Sequence, residues 1–290
     1  AYLGSNVSLT GGSLSVSARG TDDNYADTTA GSFGGVGVAS ASAETVTTST
    51  TTAEIKSSTA GKTINLSGAS SSGVFQVSAE HTAKPNSAVH SLAGGLFGGA
   101  GAQADNTVTS TVQATIGTNV HVLAKDLTIE AINHVKKTML EDGNIRGEAG
   151  GVVAGAGADS DTIISLSTLT TIGDGASLEV VGDSAAPGDF TVRALNDIDA
   201  SEKVVLFAAG ALSGLGANAS IIAVTDVAKV QVGDADLTSV GDIDISARGQ
   251  GQVTTLVDAE AYGAGTVIVG TAVGMIKPVN EVIFKSGAHV

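Results

Sequence analysis

Two short runs of carboxylates are the residues of this 290-residue chain best suited to acid–base chemistry. Paired Asp or Glu side chains act as general acid and base in the cleavage of glycosidic bonds. Asp is also typical of turns, and only 14 Lys and Arg are available to stabilise an acidic sugar. We therefore interpret both runs as turn residues and solvated corners. The runs are DDNYAD, with Asp22, Asp23 and Asp27, and NDIDASEK, with Asp197, Asp199, Glu202 and Lys203.

Other residues that commonly carry chemistry are scattered or missing. No histidine has a Ser and an Asp at a triad-like spacing, and no His-Glu-x-x-His segment is present to bind zinc. The chain has no cysteine, which excludes disulfides, thiolate zinc sites and cysteine nucleophiles. The sequence therefore predicts a protein that is not an enzyme, with no catalytic, cofactor-binding or metal-binding residue. The histidines are His81, His90, His121, His134 and His289.

Calcium is the inorganic ligand that the sequence leaves open, because Asp-rich turns supply hard oxygen ligands. The candidate segments are DDNYAD and GDADLTSVGDID, residues 233–244. Neither matches an EF-hand loop, and the Gly-Gly-x-Gly-x-Asp repeat of secreted calcium-binding proteins is missing. No cofactor is predicted, and Ca²⁺ binding stays an alternative.

A glycine- and alanine-rich segment, AGGVVAGAGADS at residues 149–160, resembles a phosphate-binding loop. A dinucleotide-binding loop needs Gly-x-Gly-x-x-Gly between a strand and a helix. Gly155 and Gly157 begin this pattern, but Ser160 stands in the sixth position and a strand-like sequence follows. Because similar segments recur along the chain, we predict a strand whose small side chains let the walls of a narrow core approach each other.

The uncharged run at residues 204–225 is long enough to span a membrane. Gly, Ser and Asn interrupt it, and the corresponding segments elsewhere carry Asp105, Asp159 and Asp161. We predict two buried strands joined by a Gly-rich turn, and no membrane span. The net charge of −15 also disfavours nucleic acid and anionic membrane surfaces as partners.

Five pentapeptides with alternating apolar residues and a closing alanine divide the chain into similar units. Their alanines lie 61, 52, 63 and 53 residues apart. Each is followed by a polar stretch, a Gly/Ala-rich segment, a Thr- and Val-rich strand that often ends in Ile-Gly, and a short apolar hop such as VHVLAKD. The pentapeptides are LSVSA (14–18), FQVSA (75–79), LTIEA (127–131), FTVRA (190–194) and IDISA (243–247).

Within each unit the pattern repeats every two residues, as in TVTSTVQATIG, where Val108, Val112 and Ile116 share a face. Few Lys, Glu and Arg and only 3% aromatic residues favour strands around a narrow core of Val, Ile, Leu and Ala. Such units cannot close a core alone and must stack. The sequence therefore predicts an all-β fold, a right-handed parallel β-helix (β-solenoid) of about five degenerate repeats of 50–60 residues.

We expect this solenoid to be continuous over residues 1–290 and to be a fragment of a longer chain, since AYLGSNVSLT reads as the middle of a strand. Two or three coils of about 20 residues in each repeat would give a rod of roughly 60–70 Å. The charged segment NHVKKTMLEDGNIRGE, residues 133–148, is predicted to be an exposed, solvated loop at a coil corner. Its charged residues are Lys136, Lys137, Glu141, Asp142, Arg146 and Glu148.

The repeat unit is similar to those of very large bacterial filamentous surface proteins, the filamentous-haemagglutinin-like and leukotoxin-family adhesins. The LTIEA-type strand, the GGVVAGAGA segment, the Thr-rich strand and the Ile-Gly turn carry this resemblance over nearly all of the chain. It implies a structural or adhesive segment of a secreted or cell-surface filament, serving adhesion, biofilm matrix or fibre formation. It transfers no site residues.

Two alternatives compete with this structural function. One is a polysaccharide-binding or polysaccharide-degrading β-helix, which would need aromatic platforms for sugars; three Tyr and no Trp argue against it. The other is a calcium-rigidified adhesin module. For a structural segment the expected partners are further repeats of the same chain or copies of it end to end, and glycans or proteins of a host or neighbouring cell.

Overall fold

A computed structural model describes residues 1–5, 7–59, 61–68, 73–183 and 187–290, and in these ranges the chain forms strands and turns with no helix. The predicted all-β class is confirmed. The strands pair in parallel, which is consistent with a β-solenoid. They are β1 (Tyr2–Leu3), β2 (Leu9–Thr10), β3 (Leu14–Ile55), β4 (Lys62–Asn65), β5 (Val74–Ile116), β6 (Val120–Ala124), β7 (Asp126–Lys137), β8 (Ile145–Gly150), β9 (Val153–Ile172), β10 (Ser177–Val180), β11 (Phe190–Ala209), β12 (Leu212–Val232), β13 (Asp236–Ser239), β14 (Ile243–Tyr262) and β15 (Gly265–Phe284).

Each layer of the stack folds back on itself. In β3, Asn24 Nδ2 donates a hydrogen bond to Thr47 Oγ1 (2.7 Å) and Ser49 donates to the Asp22 carboxylate, so the two halves of the strand face each other. We call the first half of each layer the outbound wall, the second half the return wall, and the line of reversals the turn edge. The outbound wall contains residues 14–33, 75–94, β7 with β8, β11 and β14; the return wall contains residues 36–55, 97–116, β9, β12 and β15.

A small third sheet closes the side opposite the turn edge. Its strand order is β13-β10-β6-β4-β2, and each strand connects the return wall of one layer to the outbound wall of the next. The apolar hop VHVLAKD contains β6, whose Val120, Val122 and Ala124 are buried. The apolar hop therefore forms the third side of each layer that contains one of these strands.

The five pentapeptides lie side by side in the outbound wall, and one repeat contributes one layer. The prediction of two or three coils per repeat is therefore wrong. Layers advance by about 4.8 Å, so those carrying the pentapeptides span roughly 20–25 Å instead of 60–70 Å. The walls run for 20 residues, as in β9 and β11, and a two-residue alternation does not show where a strand turns. The closing alanines, which are in register, are Ala18, Ala79, Ala131, Ala194 and Ala247.

The interior between the walls contains three apolar clusters. The cluster beside the third sheet includes Ile129 and Phe190, and the middle one includes Ile164. The cluster beside the turn edge is mostly alanine, including Ala154 and Ala156 of the segment AGGVVAGAGADS. The prediction of a single strand is only partly right, because residues 149–150 end β8, the chain reverses at 151–152, and β9 begins at Val153. The small inward side chains of β9 leave the walls close together.

Glycines at the turn edge stack directly on one another. A Cβ built on Gly95 would lie 2.0 Å from the Gly34 carbonyl oxygen, and one on Gly151 would lie 2.4 Å from the Gly95 oxygen. The same contact recurs for Gly210 on Gly151 (2.5 Å) and for Gly263 on Gly210 (2.1 Å). No side chain fits between these backbones. The glycine at each reversal is therefore required by the layer beneath it.

The uncharged run at residues 204–225 forms the end of β11 and most of β12, joined by a turn at Gly210. Two strands joined by a turn are confirmed, but the prediction that they are buried is wrong for their outer faces, where Phe207, Leu212 and Val224 are exposed. The reversal at 210–211 contains one glycine. Among the described residues, no helix has the length and apolar character needed to cross a membrane.

Candidate functional site

The predicted carboxylate runs lie inside strands of the outbound wall, and the interpretation of them as turns and corners is wrong. In β3, Asp22 points inward, 3.3 Å from His81 Nε2, whereas Asp23 points outward, 3.5 Å from Lys84 Nζ. In β11, Glu202 is buried while Asp199 is exposed. Since alternate residues of a strand face opposite sides, each run is divided between the interior and the surface. Asp27, Asp197 and Lys203 lie on the outer side.

The second candidate calcium segment, residues 233–244, contributes to contacts between layers. The Asp234 backbone N–H donates to Asp174 Oδ1 (3.0 Å), which also lies 3.2 Å from Lys285 Nζ. The hydrogen bond from Asp234, together with Lys285, holds the pKa of Asp174 below its usual value. Among the described residues, no group of three or more His, Asp or Glu side chains is arranged to hold a metal ion.

Buried polar side chains form a first polar band in the interior. This band lies between the apolar cluster beside the third sheet and the middle cluster. Ser110 Oγ donates to Asn133 Oδ1 (2.9 Å), and Asn196 Nδ2 donates to Asp226 Oδ1 (2.7 Å) while accepting from Thr168. Burial raises the pKa of Asp226, and the bond from Asn196 partly opposes this. The two-residue alternation of the sequence predicts that these residues face inward. It does not predict which of them contact one another.

A second polar band lies in the interior between the middle cluster and the alanine cluster, and it contains a buried ion pair. Lys137 Nζ lies 3.3 Å from Glu202 Oε2, and both side chains are fully buried. Glu202 Oε2 also accepts hydrogen bonds from Ser160 (3.0 Å) and Thr162 (3.2 Å). Burial raises the pKa of Glu202 and lowers the pKa of Lys137, while each charge opposes the shift of the other. The pair links two repeats through the interior.

The predicted loop at residues 133–148 is shorter than expected. Residues up to Lys137 belong to β7, residues from Ile145 belong to β8, and only 138–144 connect them. This connection is held by Asn144, whose Nδ2 donates to Asn86 Oδ1 (2.8 Å) and whose Oδ1 accepts from the Lys203 N–H (3.0 Å). The interpretation of Lys137 as a solvated loop residue is wrong. Glu141, Asp142 and Arg146 remain at the surface, and Lys136 and Glu148 point outward from their strands.

A groove of about 820 Å³ lies on the outer face of the outbound wall beside the turn edge. Its floor includes Gly94 and Gly150, and Phe33 and Phe207 border it. Along one side, Arg146 Nε donates to Glu148 Oε1 (2.6 Å). The histidines do not converge here, although His90 Nε2 lies 3.3 Å from Glu148 Oε2. Sequence reasoning missed this groove because its residues come from different repeats.

Carboxylates gather on the outer face of the return wall. Burial raises the pKa of Asp105, and repulsion from Asp161, Asp159 and Glu44 raises it further. A raised pKa means that the folded chain binds this proton more tightly than the unfolded chain does. The favourable contribution of Asp105 is therefore complete below its unfolded pKa and is lost as the pH rises through the higher folded pKa.

We expect Asp105→Asn to stabilise the fold at pH 7 by up to about 1 kcal/mol, the range of partly exposed charges. The gain should disappear below about pH 3, where the carboxyl is protonated in both states. Urea unfolding at both pH values measures this. Asp199→Asn is the control, because Asp199 pairs in register with Lys136 of the neighbouring layer and so lies beside a cation. An equal gain from both variants would contradict the prediction.

The two ends of the stack present long strand edges. β14 and β15 end the strand order of the main sheet, pairing with β11 and β12 respectively. At the other end, β1 pairs with β3 only at Glu54 and Ile55 among the described residues. Exposed N–H and C=O groups along such edges are templates for pairing with another strand.

Comparisons with known proteins found no matching family model, no matching curated protein and no matching solved structure.

Proposed function

We propose that this chain is a structural and adhesive segment of a filament at the bacterial cell surface or outside the cell. In this proposal it is a right-handed β-solenoid of five repeats, non-catalytic, and continued at its ends by further layers of the same kind. The observation that carries the proposal is the pair of open edges, because every layer between them is paired on both sides.

The side chains of the two end layers support continuation by a similar layer. Ile243 and Ile245 of the last layer occupy the same columns as Leu14 and Val16 of β3. Both ends thus present apolar residues at the same place in the cross-section, and stacking would bury them. At the β3 end, Leu3 already pairs with Ile55 in the register that later layers use.

The outer surface supports a rod that stays dispersed in water. The net charge of −15 opposes lateral aggregation of like rods, while ion pairs between neighbouring layers support the stack. Examples are Arg193 with Glu130 (2.7 Å) and Lys229 with Glu281 (3.4 Å). The division of the carboxylate runs between two faces supports a non-catalytic function.

Electron microscopy of native material and sedimentation of this chain over a range of concentrations test the proposal. We expect rods in native material and end-to-end association at high concentration. Val282→Lys should abolish the association, because Val282 occupies an inward column at the open end and a lysine there would place a charge between layers. Isolated globular particles in native material would contradict the proposal of a filament.

The matched control is Ile283→Lys. Ile283 is the neighbouring residue, is exposed to nearly the same degree (38% against 40% for Val282), and points outward from the same strand. Association should persist in this variant. If both variants abolish association equally, surface charge explains the loss, and the proposed end-to-end stacking is wrong.

A further inference from the structure

The few aromatic residues of the chain are concentrated beside the turn edge. Four of its nine Phe and Tyr residues lie there with exposed side chains: Phe33 (72%), Phe97 (50%), Phe207 (37%) and Tyr262 (56%). Phe97 and Phe207 belong to strands paired on both sides, so the open ends of the stack do not explain their exposure. Phe33, Phe207 and Tyr262 share the outer face of the outbound wall, whereas Phe97 lies on the return wall. Exposed apolar groups gathered on one face indicate a binding surface.

Two of these rings border the groove at its opposite ends. Phe33 leans over Gly94, so that a Cβ on Gly94 would lie 2.8 Å from Phe33 Cδ1. Phe207 lies three layers away, roughly 14 Å along the stack, and packs against Tyr262 with ring centroids 5.7 Å apart. Between them, a Cβ added to Gly150 would meet no atom within 4 Å, which leaves the floor open.

Polar groups line the side of the groove towards residues 138–144. Arg146 and Glu148 belong to the lining, and Glu148 accepts from Arg146, while His90 lies 3.3 Å from Glu148 in the adjoining hollow. These planar groups keep further donors and acceptors for a ligand, since an Arg guanidinium has five N–H donors and a carboxylate accepts several bonds. The groove thus combines flat apolar faces with hydrogen-bonding groups along one side.

We propose that this groove binds a short, neutral oligosaccharide. A pyranose ring has a face of C–H groups that packs on the negative face of an aromatic ring, and hydroxyls that need hydrogen-bonding partners. The volume of about 820 Å³ is within the range of ligand sites.

Charge favours a neutral or N-acetylated sugar over an acidic one. Arg146 is already paired with Glu148, and Asp27 and Asp142 line an adjoining hollow beside His90. With a net charge of −15 on the chain, sulfated or uronic-acid sugars would be repelled. This inference rests on the adhesive part of the proposed function and identifies its ligand class.

Isothermal titration calorimetry with cellotetraose and chitotetraose tests the groove, with a heparin tetrasaccharide as the acidic counter-probe. We expect at least one neutral tetrasaccharide to bind and the heparin fragment not to bind. Phe207→Ala and Gly150→Leu should each weaken binding at least tenfold, the first by removing a ring and the second by filling the floor without a clash.

Matched controls lie on the opposite wall. Phe97→Ala removes a comparably exposed ring outside the groove, and Gly214→Leu fills a position that also has no atom within 4 Å. Both should bind as the parent chain does. No binding of either neutral sugar, binding of heparin alone, or equal losses in the control variants would overturn the inference.

Rod formation and sugar binding are measured separately. The groove variants keep the open edges, so they should still associate end to end in sedimentation. Loss of sugar binding with association intact would leave the filament proposal standing. Sugar binding by a chain that never associates would support the groove while contradicting the filament.

Discussion

Replacement of Lys137 by Met is expected to destabilise the fold by about 3–5 kcal/mol, the range for a buried ion pair that loses one partner. Lys137 lies 3.3 Å from Glu202 with both side chains fully buried, so the variant would leave a carboxylate in the interior without its countercharge. Ser160 and Thr162 would still donate to it, but neither neutralises the charge. Urea unfolding at pH 7 measures the loss.

The pH dependence separates this mechanism from simple loss of packing. Burial already raises the pKa of Glu202, and removal of Lys137 raises it further because the lysine opposed the shift. The folded variant therefore binds the Glu202 proton more tightly than the unfolded chain. Its stability deficit should shrink as the pH falls towards the unfolded Glu pKa of about 4.3. A deficit independent of pH would contradict the buried-charge explanation.

Two control variants test whether the Lys137–Glu202 ion pair accounts for the loss of stability. The double variant Lys137→Met/Glu202→Gln should recover much of the loss, since Gln keeps an oxygen for Ser160 and Thr162 without a charge. Lys203→Met removes a lysine whose partner Asp258 is half exposed, at 3.6 Å, and should cost no more than about 1 kcal/mol.

Replacement of Gly151 by Ala is expected to destabilise the fold by about 1–3 kcal/mol, the range for overpacking a tight interior. The added Cβ would lie 2.4 Å from the Gly95 carbonyl oxygen and 3.1 Å from that of Leu96. Both contacts are with backbone, so relief requires one layer to move relative to the next. Thermal unfolding measures the loss, and amide hydrogen exchange should show faster opening at the turn edge.

Gly150→Ala is the matched control for this prediction. Gly150 is the preceding residue, yet its Cβ position has no atom within 4 Å. A variant there should keep the parent melting temperature within experimental error. Equal destabilisation by both variants would mean that the stacked reversal is not the reason for the glycine.

The repeating elements of the fold could be predicted from the sequence. The spacing of the pentapeptides aligned Ala18 with Ala79 and Ala131, and the structure stacks these residues in the same register. Alternation also identified Val108, Val112 and Ile116 as one face, and all three are buried. These predictions succeeded because the alternation of side chains between the two faces of a strand is a local property, and each repeat shows the same alternation.

The charged interior could not be predicted in the same way, although part of its signal is present. Lys137 has the same alternation phase as Ile129 and Val135 in β7, and Glu202 has the same phase as Ile198 in β11. A charge ordinarily indicates solvent, because unpaired charges are rarely buried. Each of these two becomes tolerable inside only through the other, and nothing local to either repeat shows the partner.

The strand content, the two-residue alternation and the alignment of one repeat with the next follow from the residues alone. The folded chain adds three facts: each repeat is one wide layer, Lys137 meets Glu202, and Phe33 and Phe207 border one groove. The width of a layer depends on where the chain reverses, whereas the two contacts depend on stacking, because Lys137 and Glu202, like Phe33 and Phe207, lie on the same wall in different layers. Local alternation fixes which side of a strand a residue faces, but the position of the reversal fixes what it meets across the interior.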